Sequence, residues 1–181
     1  IYTLSLHDAL PILVIRCTGM SFLNFPKALL VALNDGLDPA SGIRLAPSRG
    51  HLRDMTSFDE VMEAWDTTIR EFQRHCIVLD ASCDLALEHM TADVLCSGLV
   101  DDCIGRGRTL KAGGAVYDFC SGLQVGIANL GDSLAALKKT VFEDRTITGE
   151  ELWEALQNDF AGEEGERIRD RKSTRLNSSH W

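Results

Sequence analysis

Six cysteines are the side chains best suited to chemistry in this 181-residue chain. Cys76 and Cys83 stand one heptad apart, as do Cys96 and Cys103, so on continuous helices each pair shares one side. Four such thiols raise the question of a metal, but zinc sites draw ligands from C-x₂₋₄-C knuckles, a spacing that is absent here. Free cysteine packs as a small hydrophobe, so buried structural thiols and no metal are expected. His51 in a breaker-rich stretch, His75 beside Cys76 and His89 near a helix end form no H-E-x-x-H pair and read as surface or cap residues. Gly105-Arg106-Gly107 and Gly113-Gly114 fall short of a phosphate cradle: there is no P-loop lysine, and Leu110 stands where a dinucleotide fingerprint needs its third glycine. They are expected to be turns. Asp101 and Asp102 would point about 100° apart on a helix, a solvated face rather than an acid–base pair.

The elements that must position these residues are mainly helical. Asn24-Phe25-Pro26 opens a helix, asparagine as N-cap and proline in the first turn, with Leu29, Leu30 and Leu33 on its apolar face. Asn34-Asp35-Gly36 stops it, and Pro39, Gly42, Pro47 and Gly50 make 36–54 a surface loop. Ser57-Phe58-Asp59-Glu60 reads as a capping box. Behind it Phe58, Val61, Trp65, Ile69, Phe72, Cys76 and Leu79 recur at intervals of three and four, predicting a buried stripe, with Glu60, Glu63, Asp66, Arg70 and Arg74 in water. The pattern continues through Leu85 and Leu87. A helix is expected from Ala92 to Ile104, an extended run at Ala115–Phe119, and a long helix marked by Ile127, Leu130, Leu134, Leu137 and Val141. Thr148-Gly149-Glu150-Glu151 is a second capping box, opening a helix that buries Leu152, Leu156 and Phe160.

Composition narrows the classes of function. Lys and Arg number 18 against 27 Asp and Glu, a net charge of −9, so a nucleic-acid surface with clustered cations is excluded. No apolar run approaches the roughly 18 residues of a membrane span. Six scattered cysteines do not make a secreted disulfide scaffold, and a cytoplasmic chain is expected. Both ends stand apart. Thr3–Ile12 (TLSLHDALPI) and Asp170–His180 (DRKSTRLNSSH) resemble translations of the two arms of a short-read sequencing adapter, so 1–12 and 170–181 are expected to be non-native. The remaining Leu13–Arg169 holds 15 basic and 25 acidic residues, still strongly acidic, and with neither an initiator Met nor a natural stop region it reads as an open fragment.

Five stretches, in order, resemble the pyruvate formate-lyase domain of the glycyl radical enzymes: Arg16–Phe25 (RCTGMSFLNF), Ala32–Asp38 (ALNDGLD), Arg53–Trp65 (RDMTSFDEVMEAW), Leu95–Gly107 (LCSGLVDDCIGRG) and Gly113–Phe142. The pattern is more similar to the dehydratase-like branch than to pyruvate formate-lyase itself. The resemblance implies that 13–169 is a partial domain, a mainly α fragment forming the helical portion of a larger α/β barrel. It further implies a lyase or dehydratase of anaerobic metabolism acting on a small polar molecule. In the full-length family a glycyl radical is installed by an activating enzyme that uses S-adenosylmethionine and an iron–sulfur cluster, and a cysteine thiyl then abstracts hydrogen from substrate. The fragment itself is expected to bind no cofactor, and the intact protein to be a homodimer with the activating enzyme as partner.

Neither radical centre is expected inside the chain. The family's Cys-x-Glu motif falls before Arg16 and its Arg-Val-x-Gly-aromatic motif beyond Arg169. Cys17 is followed two places on by Gly19, not by a glutamate, and the neighbours of Gly19 match the cysteine region rather than the glycine one. No catalytic residue is therefore assigned, and residues just after the thiyl cysteine, Cys17, Thr18 and Ser21, are the candidates for lining the substrate pocket, set against a plain packed loop. A formate C-acetyltransferase fragment and a non-catalytic helical module are the alternatives. Alone, the fragment is expected to be helical but loosely packed, with Trp65, Phe72 and Leu137 uncovered.

Overall fold

A computed structural model describes residues 21–117 and 123–176, with side chains to Asp170. The chain divides into two units: one comprises Ile1–Leu23 and Gln73–Gln124, the other Asn24–Phe72 and Val125–Trp181. The sole sheet among the described residues pairs β1 (Phe22–Asn24) with β2 (Leu123–Val125). Everything else is helix or turn, and no described helix is long and apolar enough to cross a membrane.

In the second unit, α1 (Phe25–Leu33) starts as its sequence dictates: the Asn24 side chain accepts from the Lys27 N–H, with Pro26 in the first turn. Gly36 then takes φ +78°, and a Cβ there would lie 2.3 Å from the Ala46 carbonyl oxygen, so only glycine fits. The loop that follows is ordered by two aspartates. Asp35 accepts from the Ser48 hydroxyl, the Arg49 and Gly50 N–H groups and the Arg44 guanidinium. Asp38 accepts from Lys27, the Ala40 N–H and Ser41. Antiparallel bridges Asn34–His51 and Leu37–Arg44 close the loop, which ends in a 3₁₀ turn, Leu52–Asp54.

Helix α2 (Phe58–Met90) carries 33 residues, about 50 Å at about 1.5 Å per residue. Its predicted capping box is only half formed. Ser57 Oγ accepts from the Glu60 N–H, but the Glu60 carboxylate turns to the Thr56 N–H and hydroxyl, a bidentate pairing one residue upstream. Val61, Ala64 and Thr68 form its most deeply buried line, flanked by half-buried Phe58, Trp65, Ile69 and Phe72, and the expected wet residues are wet. Leu79, placed by periodicity in the buried stripe, is 50% exposed.

Helices α5 (Ile127–Leu137), α6 (Gly149–Gln157) and α7 (Gly162–Leu176) complete this unit. α5 ends in a π-helical turn, Lys138–Glu143, so the long helix predicted through Val141 changes its hydrogen-bond register after Leu137. The Thr148 box forms fully: Thr148 Oγ accepts from the Glu151 N–H, and the Glu151 carboxylate accepts from the Thr148 N–H. Trp153 and Ala155, rather than the predicted Leu152, Leu156 and Phe160, are the buried residues of α6; those three are half-buried. The core joins Leu29, Leu33, Leu52, Val61, Leu130, Leu137 and Trp153, with Phe25 edge-on to Trp65 at 5.7 Å. Leu137 is thus covered, not exposed as expected. α7 runs through Arg169 without a break.

The first unit is built differently. The helix predicted over Ala92–Ile104 is two pieces, α3 (Val94–Leu99) and α4 (Cys103–Arg106), because Val100 turns extended and Asp102 then adopts φ +71°. Cys96 and Cys103 therefore do not share a helix side: Cys96 is exposed, while Cys103 is 2% exposed and packs with Leu110 and Ala115. Asp101 and Asp102 are solvated as expected, but in a turn, with Asp102 paired to Arg106. The glycines at 107 and 113 are turns of positive φ. The extended run at Ala115–Phe119 is an isolated bridge at Tyr117 rather than a strand, with Asp118 and Phe119 outside the described residues; β2 follows a few residues on. Apolar residues meet solvent over much of this unit: Ile77 is 68%, Val78 63% and Ile104 78% exposed.

Two outcomes follow from this asymmetry. Hydrogen exchange should find protected amides in α1, α5 and α6 and weak protection in α3 and α4, with an apolar dye bound; uniform protection without dye binding would contradict it. The Asp35 carboxyl is held at about 2, below its usual 3.8, by the Ser48 hydroxyl first and the Gly50 N–H next. A depressed folded pKa stabilises above the unfolded value and loses that contribution as pH falls, so exchange at Arg49 and Gly50 should accelerate between about pH 4 and 2. Asp35→Ala should show the acceleration already at pH 7.

Candidate functional site

Of the three residues read as pocket lining, Cys17 and Thr18 lie outside the described residues, and Ser21 is buried in the first unit. Ser21 immediately precedes β1, which fixes its backbone, and its hydroxyl donates to Asp80 Oδ2 on α2 at 2.8 Å. The pair lines a cleft of about 520 Å³ together with Leu23, Gln73, Cys76, Ile77, Ala81, Asp84, Leu123 and Gln124. Asp80 and Asp84 are four residues apart, hence stacked on one helix face. Asp80 Oδ1 is sealed from solvent and takes no hydrogen bond. The lining is mostly apolar, with two carboxylates and two amides among its residues, the usual make-up of a small-molecule site. A serine bonded to a buried carboxylate can orient a donor; it is no nucleophile–base pair, which would need a histidine or similar base.

Ser21 lines this cleft, and its partner Asp80 was not singled out from the sequence. Its signal was there: Ile77-Val78-Leu79-Asp80-Ala81 places one acid inside an apolar run, where a charge is expensive unless it serves something. Cys76, read as a structural thiol, is half-buried and lines this cleft. Cys96 carries a thiol pushed up by the Asp93 carboxylate, which disfavours the nucleophilic thiolate. Among the described residues no group of three His, Cys, Asp or Glu is placed to hold a metal.

A second cleft, about 680 Å³, lies in the other unit, lined by Asn34, Asp35, His51, Asp54, Glu150, Trp153 and Glu154 among others. His51 is a cap, as its sequence setting suggested: Nδ1 accepts from the Arg53 N–H, and the ring meets Trp153 edge-on at 4.8 Å. Since Nδ1 accepts, the proton of the neutral ring sits on Nε2. The rim of the cleft is acidic, with Asp54, Glu150 and Glu154 exposed and Asp35 engaged by the loop donors.

Comparison with known proteins places this geometry. The family model described as pyruvate formate lyase-like matches residues 15–173. The chain is 51% identical over 158 residues to the probable dehydratase YbiW of Escherichia coli K12, covering 86% of this chain and 20% of that protein. The glycerol-bound B12-independent glycerol dehydratase of Clostridium butyricum superposes with a TM-score of 0.70 at 36% identity, over 80% of this chain and 18% of that one. Hydroxyproline dehydratase of Clostridioides difficile, with trans-4-hydroxy-L-proline bound, gives 0.72 at 32% identity over 79% and 18%. These are barrel-type enzymes, and this mainly helical chain corresponds to about a fifth of their length.

One pH dependence follows from the second cleft. Burial, the largest influence, pushes the His51 imidazole below its usual 6.5. The fold therefore prefers the neutral ring, the unfolded chain binds the extra proton, and stability falls as pH drops through about 6.5. Protonation also fills Nδ1 and costs the Arg53 N–H its acceptor. Urea midpoints measured from pH 8 to 5 should decline, and His51→Gln should flatten the decline; an unchanged slope would refute the assignment.

Proposed function

Because this chain belongs to the pyruvate formate lyase-like family, whose members include glycyl radical enzymes, we propose that it is part of a glycyl radical enzyme that dehydrates a small hydroxylated substrate. The observation that carries the reading is the 51% identity, across 86% of this chain, to a protein named as a probable dehydratase. Similar structures named for glycerol and trans-4-hydroxy-L-proline support the substrate class, small molecules bearing a hydroxyl that leaves as water. The same names favour elimination over formate C-acetyl transfer, and the family match over residues 15–173 leaves the non-catalytic module without support.

The radical supplies hydrogen abstraction from substrate; this chain supplies part of the enclosure. No cysteine here is followed two places on by glutamate, and no Arg-Val-x-Gly run occurs, so both radical centres belong to other parts of the enzyme. Ser21, anchored by Asp80 at the foot of β1, fixes the start of the strand that follows Cys17 and Thr18. Those residues, with Ser21, line the substrate pocket. Apolar Leu23, Ile77 and Leu123 line the cleft beside them. The intact enzyme works as a cytoplasmic homodimer in anaerobic metabolism, activated by an S-adenosylmethionine-dependent iron–sulfur enzyme.

The 181-residue chain is accordingly inactive on its own. Incubated anaerobically with an activating enzyme, S-adenosylmethionine and reductant, it should give no protein-centred doublet in electron paramagnetic resonance and no dehydration of glycerol. A glycyl doublet would place a radical centre inside this chain and overturn the reading.

A further inference from the structure

The second unit holds a pocket that the dehydratase reading leaves unused. About 230 Å³ of space lies among α1, α5, the π-helical turn, α6 and α7. Leu33, Leu137 and Ile168 of its lining are buried, while Leu30, Leu156 and Phe160 are half-buried, so the lining extends to the surface. No lining residue is charged, and Ser133 and Thr140 alone carry hydroxyls. The Thr140 hydroxyl is already spent, donating to the Ala136 carbonyl at 2.8 Å. Protein interiors leave few gaps larger than one water, and a water held in a pocket needs about two to four polar partners. This lining offers too few. Two features of its walls are costly. The π-helical turn that carries Thr140 interrupts α5, and such turns recur where a site is built. Asp159 and Phe160 adopt φ +51° and +54°, a left-handed conformation that an aromatic residue rarely takes and that clusters at ligand clamps. The Phe160 N–H donates to the Ala155 carbonyl at 2.7 Å, and α7 lies against the Phe160 backbone so closely that a Cβ on Gly165 would stand 2.4 Å from its carbonyl carbon. The fold thus holds Phe160 in place on the lining.

We infer that this pocket binds a small uncharged hydrocarbon, a substituted aromatic ring or a branched chain of similar bulk. Size sets the class: an apolar cavity of about 150 Å³ takes up benzene, and 230 Å³ leaves room for a substituent on the ring. Chemistry sets the rest. A charged ligand would lose its hydration against a lining that carries no opposite charge. A polyol such as glycerol would leave most of its hydroxyls unpaired there, so the pocket selects against the small hydroxylated molecules of the dehydratase reading. The inference stands independently of that reading, since it follows from the volume and lining of a pocket in the second unit.

The test uses the 181-residue protein with toluene as probe and glycerol as the polar control. In nuclear magnetic resonance, toluene ring protons should give intermolecular Overhauser contacts to the methyls of Leu33, Leu137 and Ile168, with shifts that saturate; glycerol should give neither. Toluene should also raise the thermal midpoint, because it binds the folded state alone. Ala136→Leu extends a side chain of the lining into the space and should weaken toluene binding about tenfold or more without lowering the midpoint of the free protein. If that variant fails to fold, Ser133→Leu fills the pocket from one turn earlier on α5 and should act alike. If neither folds, the contacts in the unaltered protein decide. Absence of contacts to those three methyls, shifts that grow without saturating, or unchanged toluene affinity in a filled variant that folds would each place the binding elsewhere and overturn the inference.

Discussion

Burial of one set of apolar side chains, Leu29, Leu33, Leu52, Val61, Leu130, Leu137 and Trp153, is the constraint on which the second unit depends. Each contributes about 1.5–3 kcal/mol when fully withdrawn from water, enough to offset the ordering of the residues that carry it. The seven come from α1, the 3₁₀ turn, the start of α2, α5 and α6, so none of these elements can move without opening the core. Gly126 shows how closely they fit: it holds φ +81° before α5, and a Cβ there would lie 2.6 Å from the Pro26 ring. The core also explains why a loop as rich in breakers as 36–54 is ordered. Leu52 anchors its end, and Asp35 and Asp38 collect the donors that the loop backbone and its flanks would otherwise leave to water.

No comparable core exists in the first unit, where Cys103, Leu110 and Ala115 form the only cluster among the described residues. Helix α2 makes the contrast visible within one element. Its first half has an apolar side and a wet side, the signature of a helix at the surface of a small core. Farther on, Ile77, Val78 and Leu79 are consecutive, so they point in three directions about 100° apart, and all three are exposed. A helix that is apolar all round is made to be enclosed. The chain spans about a fifth of the length of the proteins it matches.

The acidic excess acquires structure in the same way. Asp35, Asp38 and Asp93 each stabilise a turn or a cap by accepting several N–H or O–H donors, a role open to any short carboxylate with a suitable backbone. Asp80 differs in kind. It is buried among apolar neighbours with half its acceptor capacity unused, and it holds the one residue of the expected pocket lining that the structure describes. The turn aspartates organise the loops; Asp80 holds Ser21.

Much of the local chemistry was legible in the sequence. The Asn24 cap, the Thr148 box, the stop at Gly36 and the long periodic helix from Phe58 all depend on residues within a few positions of one another, and all stand as read. So does the family, because five ordered stretches carry more information than any one motif. Some of what failed was local, as with the Glu60 carboxylate that turns to Thr56 and the π-helical turn after Leu137, and the rest depended on partners distant in sequence. The break at Asp102 requires a left-handed residue that no pattern announces, and it separated Cys96 from Cys103. The exposure of Leu79 and the covering of Leu137 depend on which faces find a neighbour, and periodicity says only that a face exists. Asp80 lies 59 residues from Ser21, and nothing in either local sequence names the other. The sequence determines which segments are helices and where they are capped, since those bonds close within a turn; only the tertiary structure decides which side chains share a cleft, since that depends on where separate segments come to rest.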